Sequence, residues 1–325
     1  MGDKIYHPNV LTPDQIIAKL SSVFESGVGG DLFFYDSTTS THIEHGIEYE
    51  IRKCPALLLK PVMPTPHFSA SPPKGKPDPF EPPYSKDLLV GELHGENDSK
   101  YIIMDLTRVT KFSVVKHHFL LITKEYLPQS TPPTPEDLIA VYSLITAASR
   151  AGNPFFGFFN CGVKSGASQG HKHLQLFPLS SPDGPPIEVL ASRTNLENDS
   201  KPFALPGVPW AHYVRRFPPH FASSSTPTEE LYETLTEAFM SLLDLSIVSI
   251  RHDNENEHET GALNYNLLIT KSHMHIIPRS HDKHVLGQSG DAVSVNSVGF
   301  AGLLLVKSDA ESEAVTMEGV QNILR

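Results

Sequence analysis

The feature that most restricts this chain is a repeated helix start: Thr12-Pro13-Asp14-Gln15, Thr134-Pro135-Glu136-Asp137 and Thr226-Pro227-Thr228-Glu229. In each, threonine is a capping residue, proline stands where a helix has a spare N–H, and the third helical position is acidic or Gln. The box is weaker at Asp137, whose side chain is shorter. Apolar residues then recur at helical spacing: Ile16, Ile17, Leu20, Val23 and Phe24; Leu138, Val141, Tyr142, Leu144 and Ile145; Leu231, Leu235, Phe239, Leu242 and Leu243. A fourth helix is expected in the acidic tail from Ala310 onward. Strand-like runs lie at 47–52, 57–62, 88–93, 101–106, 114–123, 155–160, 173–177, 212–217, 263–270, 273–278 and 302–306. Several neighbours sit close enough in sequence to pair antiparallel. The pattern predicts an α+β fold, helices packed on a largely antiparallel sheet, rather than the βαβ alternation of a doubly wound fold. Proline-rich stretches at 61–83, 180–209 and 217–227 are predicted loops, because proline at that density resists both helix and ladder. The first is long enough for a lid and equally for a surface linker.

Charge narrows the partners. A formal net charge of -11 over 325 residues argues against a general nucleic-acid binder, which presents a basic face. An anionic substrate must then be met by a few local lysines and backbone dipoles. Two cysteines offer no disulfide framework and suit a reducing compartment. The N-terminus lacks an apolar signal region, and no run approaches ~18 apolar residues. The expectation is a soluble protein of the cytoplasm, with the nucleus also open to it. Neither nucleic acid nor membrane is expected as a partner. No coiled coil or apolar seam stands out, which favours a monomer.

Chemistry is concentrated in Gly170-His171-Lys172-His173-Leu174-Gln175-Leu176-Phe177-Pro178. In a strand, residues two apart share a face, so His171, His173 and Gln175 form one row while Lys172, Leu174 and Leu176 point away. Two imidazoles and an amide in a row suit phosphoryl transfer: one ring attacks phosphorus, and the amide NH2 donates to a phosphoryl oxygen. Just upstream, Lys164-Ser165-Gly166-Ala167-Ser168-Gln169-Gly170 has the small residues of a backbone anion cradle. An H-x-H pair also suits a metal. Zinc, however, needs further ligands, and the chain has neither C-x-x-C nor H-E-x-x-H. No metal site is therefore expected. Glutamine has no accessible proton equilibrium, so it binds and polarises without acting as a general acid. A polyphosphate leaves unaided and orthophosphate arrives ionised, so Gln175 favours transfer over hydrolysis.

The order strand, helix, strand with H-x-H recurs weakly after residue 212. There His273-Met274-His275-Ile276-Ile277 places an aliphatic residue where the first copy has Gln175. If the chain arose by duplication, His273 and His275 belong to scaffold.

The combination resembles a known family. H-x-H-x-Q after a Gly/Ser loop is similar to the transferase branch of the histidine-triad superfamily. The rest resembles the fungal diadenosine tetraphosphate phosphorylases, or ATP adenylyltransferases. The likeness is carried by Asp78-Pro79-Phe80-Glu81-Pro82-Pro83-Tyr84, His118-Phe119-Leu120-Leu121-Ile122-Thr123-Lys124-Glu125 and Phe159-Asn160-Cys161-Gly162. It continues through the H-K-H-L-Q segment, Asn264-Tyr265-Asn266-Leu267-Leu268-Ile269-Thr270 and Asn296-Ser297-Val298-Gly299-Phe300-Ala301-Gly302. These segments spread over most of the chain.

The resemblance implies a histidine-triad-like sheet of the galactose-1-phosphate uridylyltransferase type. It also implies one adenylyltransferase domain over 1–325, built from a catalytic half at about 47–180 and a degenerate half at about 208–325. The implied activity splits diadenosine tetraphosphate with orthophosphate into ADP and ATP, and runs in reverse. His173 would be the nucleophile, His171 its neighbour and Gln175 the phosphoryl donor. Asn160, Gly166, Ala167, Ser168 and Gln169 would hold phosphates. Lys60, Lys307 and Lys111 would meet the polyphosphate, and Asn296, Ser297, Val298 and Leu303 the phosphates or nucleotide. Thr110 stands where the family has Asn, which puts that contact in doubt. No tightly bound cofactor is implied; magnesium would accompany the nucleotide. Two alternatives are a nucleotidyltransferase for sugar phosphates and a catalytically silent nucleotide sensor.

Overall fold

The order of elements follows from where apolar side chains alternate and where threonine and glycine interrupt them. In the computed structural model, which describes residues 8–28, 37–55, 78–84, 88–105, 115–223, 226–253 and 263–325, the chain begins with helix α1 (Pro13–Val28) and the hairpin β1 (Thr38–Glu44) and β2 (Ile47–Lys53). Then come β3 (Leu89–His94), β4 (Lys100–Asp105), β5 (Phe119–Thr123), α2 (Pro135–Arg150), β6 (Phe155–Cys161) and β7 (His173–Pro178). After α3 (Pro186–Arg193) follow β8 (Tyr213–Arg216), α4 (Thr228–Asp253), β9 (Tyr265–Ile269) and β10 (His273–Pro278). The chain closes with β11 (Lys283–Val285), β12 (Ala292–Ser294), α5 (Ser297–Phe300), β13 (Leu303–Val306), α6 (Asp309–Glu318) and α7 (Val320–Leu324).

Eight strands make one antiparallel sheet in the order β3-β4-β5-β7-β6-β9-β10-β8. Outward from the β6–β9 seam the order is β7 then β5 on one side and β10 then β8 on the other. Alternation splits each strand between two faces. Leu174, Leu176, Leu267, Ile269, Met274 and Ile276 bury against α1, α2 and α4. Gly157 permits the close approach of α2, since a Cβ there would meet Val141 Cγ1 at 2.4 Å. On the other face, Phe156, Phe158, Phe177, Leu268 and Ile277 pack with a second layer of β2, β13, α5, α6 and α7. A smaller cluster of Phe80, Ile102, Met104, Leu120 and Ile122 covers the β3–β5 end of that face. Of the row predicted from sequence, His173 and Gln175 lie on this face, opposite Ile122 and Phe158 of the two apolar clusters. The α+β expectation holds.

The helix starts behave unequally. Thr12 and Gln15 exchange reciprocal bonds, 2.9 and 3.3 Å. Thr134 and Asp137 form a complete box, so the shorter acid suffices. Thr226 instead turns its hydroxyl to the carbonyls of His220 and Phe221, and α4 begins two residues later. The 180–209 stretch is not all loop. Pro186 occupies a first-turn position of α3, where its missing N–H is harmless, and Ile187–Arg193 then run as helix formers. The 114–123 strand is shorter than predicted and begins at Phe119; His117 takes a left-handed φ of 64° that breaks the ladder. His171 lies just outside β7, because the segment before His173 pairs with 127–129 instead, through Gln129 N to Gly170 O and Lys172 N to Leu127 O. The acidic tail divides at Gly319 (φ 90°) into α6 and α7. The predicted strand at 57–62, most of 61–83, and Lys60, Thr110 and Lys111 fall outside the described residues.

Candidate active site

His173 opens β7 opposite Ile122 of β5, on the face away from α1, α2 and α4, with 3% of its surface exposed. Its Nδ1 lies 2.8 Å from the main-chain oxygen of His171. A carbonyl only accepts, so Nδ1 carries the hydrogen and Nε2 the lone pair. Two residues on, the amide nitrogen of Gln175 stands 3.5 Å from that Nε2. Buried Gln129 clamps the backbone around His173. Its Oε1 accepts the His173 N–H at 2.8 Å, while its Nε2 donates to the carbonyls of Asn160 (3.0 Å) and His173 (3.2 Å). From the opposite side of the strand, fully buried Lys172 pairs with Asp137 near the start of α2 and donates to Pro132 O at 2.9 Å. The strand is held from both sides.

Asn160, near the end of β6, is the second node. Its Oδ1 accepts from Asn266 Nδ2 (2.8 Å), Ser297 Oγ (2.6 Å) and Ser297 N (3.1 Å). With the oxygen saturated, the NH2 is the half of the amide left to meet a ligand. Asn266 sits directly across in β9 and also donates to Ser165 O at 2.8 Å, tying the turn before the Gly/Ser loop to the sheet. Gly166 follows at φ 78°; a Cβ there would approach Val295 O to 2.8 Å and Asn296 Cβ to 2.9 Å. Glycine is what lets this loop lie against Asn296. Asn296 in turn caps α5 by accepting Val298 N at 3.0 Å. Asn160, Gly166, Asn296, Ser297 and Val298, separated by up to 138 positions, thus form one bonded and packed group next to His173.

Burial dominates the electrostatics. It pushes the His173 imidazole down to about 4, against the opposing bond to the His171 carbonyl and in step with the charge of His171. His118, packed on Phe177 at 5.2 Å and in contact with Gln175, is driven by burial down to about 3. At neutral pH the His173 imidazole is already unprotonated. The unfolded chain, by contrast, takes up a proton near 6.5. The folded-state value is the depressed one, so stability is full above 6.5 and is lost as pH falls toward 4. Between pH 7 and that limit, wild type should lose up to roughly 3 kcal/mol more than His173→Ala, read as the shift in urea midpoints.

A profile described as the Ap4A phosphorylase N-terminal domain (Ap4A being diadenosine tetraphosphate) matches residues 7–192. The chain belongs to the Ap4A phosphorylase family. A profile for the ATP adenylyltransferase C-terminal domain matches residues 206–325. The diadenosine tetraphosphate phosphorylase 2 of Saccharomyces cerevisiae is 29% identical over 280 residues, spanning 83% of this chain and 79% of its own. Protein APA1 of the same yeast is 27% identical over 321 residues, 94% of this chain and 90% of its own. The crystal structure of yeast Ap4A phosphorylase Apa2 superposes with a TM-score of 0.76 at 25% identity, covering 97% of this chain and 94% of that one. Apa2 has also been crystallised with Ap4A; that structure is 24% identical and superposes at 0.72, over 98% of this chain and 97% of that one.

Within the family frame, the remaining predicted residues take separate places. Ala167 is buried, Ser168 exposed and Gln169 half-buried along the Gly166 loop. Leu303 packs in the second apolar cluster on β13. Lys307 follows that strand, its ammonium 3.5 Å from Glu311. Sequence reasoning assigned no role to Gln129, and it quoted Asp78 and Asn266 only as parts of motifs. Asp78 lies 2.7 Å from His171 Nδ1.

The second H-x-H pair sits elsewhere on the same face. In register, Gln175 faces Phe158, Phe158 faces Leu268, and Leu268 faces His275. Three strand spacings of about 4.8 Å set His275 roughly 14 Å away. There buried Glu188 bonds His273 Nδ1 at 2.8 Å and Thr270 at 2.8 Å, and Arg216 Nε donates to His273 Nε2 at 3.1 Å. Burial would raise the Glu188 carboxyl, but its bond to His273 and the nearness of His275 at 3.6 Å outweigh that and hold it at about 2. Among the described residues, no group of three or more His, Cys, Asp or Glu is arranged for a metal ion. No helix among them is long and apolar enough to cross a membrane.

Proposed function

We propose that this protein phosphorolyses Ap4A to ADP and ATP through an adenylyl group carried on His173, and runs the reverse adenylyl transfer from ATP. The observation that carries the reading is the Nδ1–H of His173 committed to the His171 carbonyl, which aims the Nε2 lone pair beside the Gln175 amide. Nε2 attacks the α-phosphorus, and the bond from phosphorus to the bridging oxygen breaks. ATP departs with its electron pair and needs no proton. The imidazolium so formed keeps its hydrogen on Nδ1, facing a carbonyl dipole that stabilises the positive charge. An orthophosphate oxygen then attacks the same phosphorus, the N–P bond returns its electrons to Nε2, and ADP leaves. Gln175 and the Asn160 amide are the donors for the phosphoryl oxygens, and loop 166–169 lies where its N–H groups can join them. Lys60, Thr110, Lys111 and Lys307 are assigned to the polyphosphate and ribose, and Asn296, Ser297, Val298 and Leu303 to the wall of the nucleotide site. Magnesium enters as the counter-ion of the nucleotide.

The whole chain works as one adenylyltransferase in a catalytic and a silent half, acting as a monomer in the cytoplasm. Incubation with Ap4A tests the chemistry. Equal amounts of ADP and ATP are expected, with consumption dependent on orthophosphate. Steady release of AMP at full rate without phosphate would identify a hydrolase instead.

A further inference from the structure

A buried histidine whose two ring nitrogens both face acceptors has little choice of protonation state. His171, 3% exposed, is such a residue. Its Nε2 lies 2.8 Å from the carbonyl oxygen of Thr123 and 3.2 Å from that of Glu125, and neither can supply a hydrogen. Its Nδ1 lies 2.7 Å from Asp78 Oδ2. The other carboxylate oxygen, Oδ1, accepts the main-chain N–H of Phe80 at 2.9 Å. One proton therefore lies between Nδ1 and Oδ2, and imidazole is a stronger base than carboxylate by more than two pKa units, about 6.5 against about 3.9. We propose that His171 is a buried imidazolium fixed by Asp78, and that this ion pair positions His173 through the carbonyl that orients its ring.

The link to His173 is structural. The residue whose ring Asp78 grips also supplies the carbonyl that orients His173 Nδ1. Phe80, two residues beyond Asp78, packs on both rings, with centroids 5.9 Å from His171 and 5.3 Å from His173. Tyr126 covers His171 from another side at 5.1 Å. Lys172 is turned through the strand to Asp137 and does not compete for Asp78. Burial would raise the Asp78 carboxyl, yet the bonds from His171 and Phe80 and the charge of His171 bring it below its ordinary value. On His173 the two charges of the pair oppose each other, His171 lowering its imidazole and Asp78 raising it, so burial decides its neutral state and the pair acts by position. Asp78 is a positioning residue, since it acts through His171.

The kinetic part rests on the adenylyl-transfer reading; the charge of His171 does not, and one experiment separates them. Protein labelled with nitrogen-15 in its histidine rings, with His171 assigned by His171→Gln, is read by NMR at neutral pH. Wild type should show both His171 nitrogens protonated and His173 protonated at Nδ1 alone. Asp78→Asn should leave His171 with one proton and lower kcat by about a hundredfold, as misplacement of a reacting group does, with KM changed far less. Asp78→Glu should keep the imidazolium and recover part of kcat. A bare nitrogen on His171 in the wild type overturns the charge assignment. An Asp78→Asn protein with wild-type kcat overturns the positioning role. If wild type did not turn over Ap4A, the functional reading would fall while the spectra still decided the state of His171.

Discussion

His173→Ala should eliminate phosphorolysis of Ap4A, by about four orders of magnitude or more, while leaving nucleotide binding measurable. The size follows from what is removed. Without the imidazole there is no covalent carrier, and orthophosphate would have to attack a polyanion directly. The groups assigned to the nucleotide are on other elements: Asn160 on β6, held by Asn266 of β9, and Ser297 on α5. Their bonds to one another do not run through the His173 ring, so the pocket survives its loss. The positive form of the test traps the intermediate. Wild type mixed with Ap4A and no phosphate should gain the mass of an adenylyl group on the peptide that contains His173. Label on a peptide containing His275 would reverse the assignment of the two H-x-H segments. The structure weighs against that outcome, because His275 lies 3.6 Å from buried Glu188, whose charge holds the pair in a closed network with His273.

What the sequence exposes is what repeats locally. The sheet is readable because apolar alternation marks its strands, and the row His173, Gln175, Phe177 follows from a period of two. Helices α1 and α2 follow from their boxes. β1 escapes notice because Thr38–Glu44 is mostly exposed and carries no apolar alternation; pairing with β2 alone makes it a strand. α3 was hidden by the prolines around it, although Pro186 is where a helix tolerates one. The polar contacts of the site are the least legible. Asp78 and His171 are 93 residues apart, Asn160 and Asn266 are 106 apart, and Gln129 and His173 are 44 apart. No periodicity connects such pairs. Asp78 and Asn266 were visible only as members of motifs, Asn160 had its role only through the family resemblance, and Gln129 was not visible at all.

In the proposed mechanism Gln175 sets whether the adenylyl group passes to phosphate or to water, and Gln175→Ala measures the donor itself. Loss of one preorganised donor to a phosphoryl oxygen costs about 10²–10³ in rate. That loss should appear in kcat with only a modest rise in KM, because charge on the phosphoryl oxygens changes most at the transition state. Gln175→His is the sharper variant. A new imidazole at this position would touch His118 and Phe158, in surroundings where burial already drives His118 down to about 3. It would therefore stay unprotonated at neutral pH, a base and not an acid. Such a group does nothing for departure of ATP, which leaves unaided, but it can take a proton from water that attacks the adenylyl-histidine. The expected result is a fall in phosphorolysis together with release of AMP in the absence of phosphate. If the ratio of phosphorolysis to hydrolysis is unchanged, acceptor choice lies outside Gln175. Loop 166–169 would then be the place to look, since it packs on Asn296.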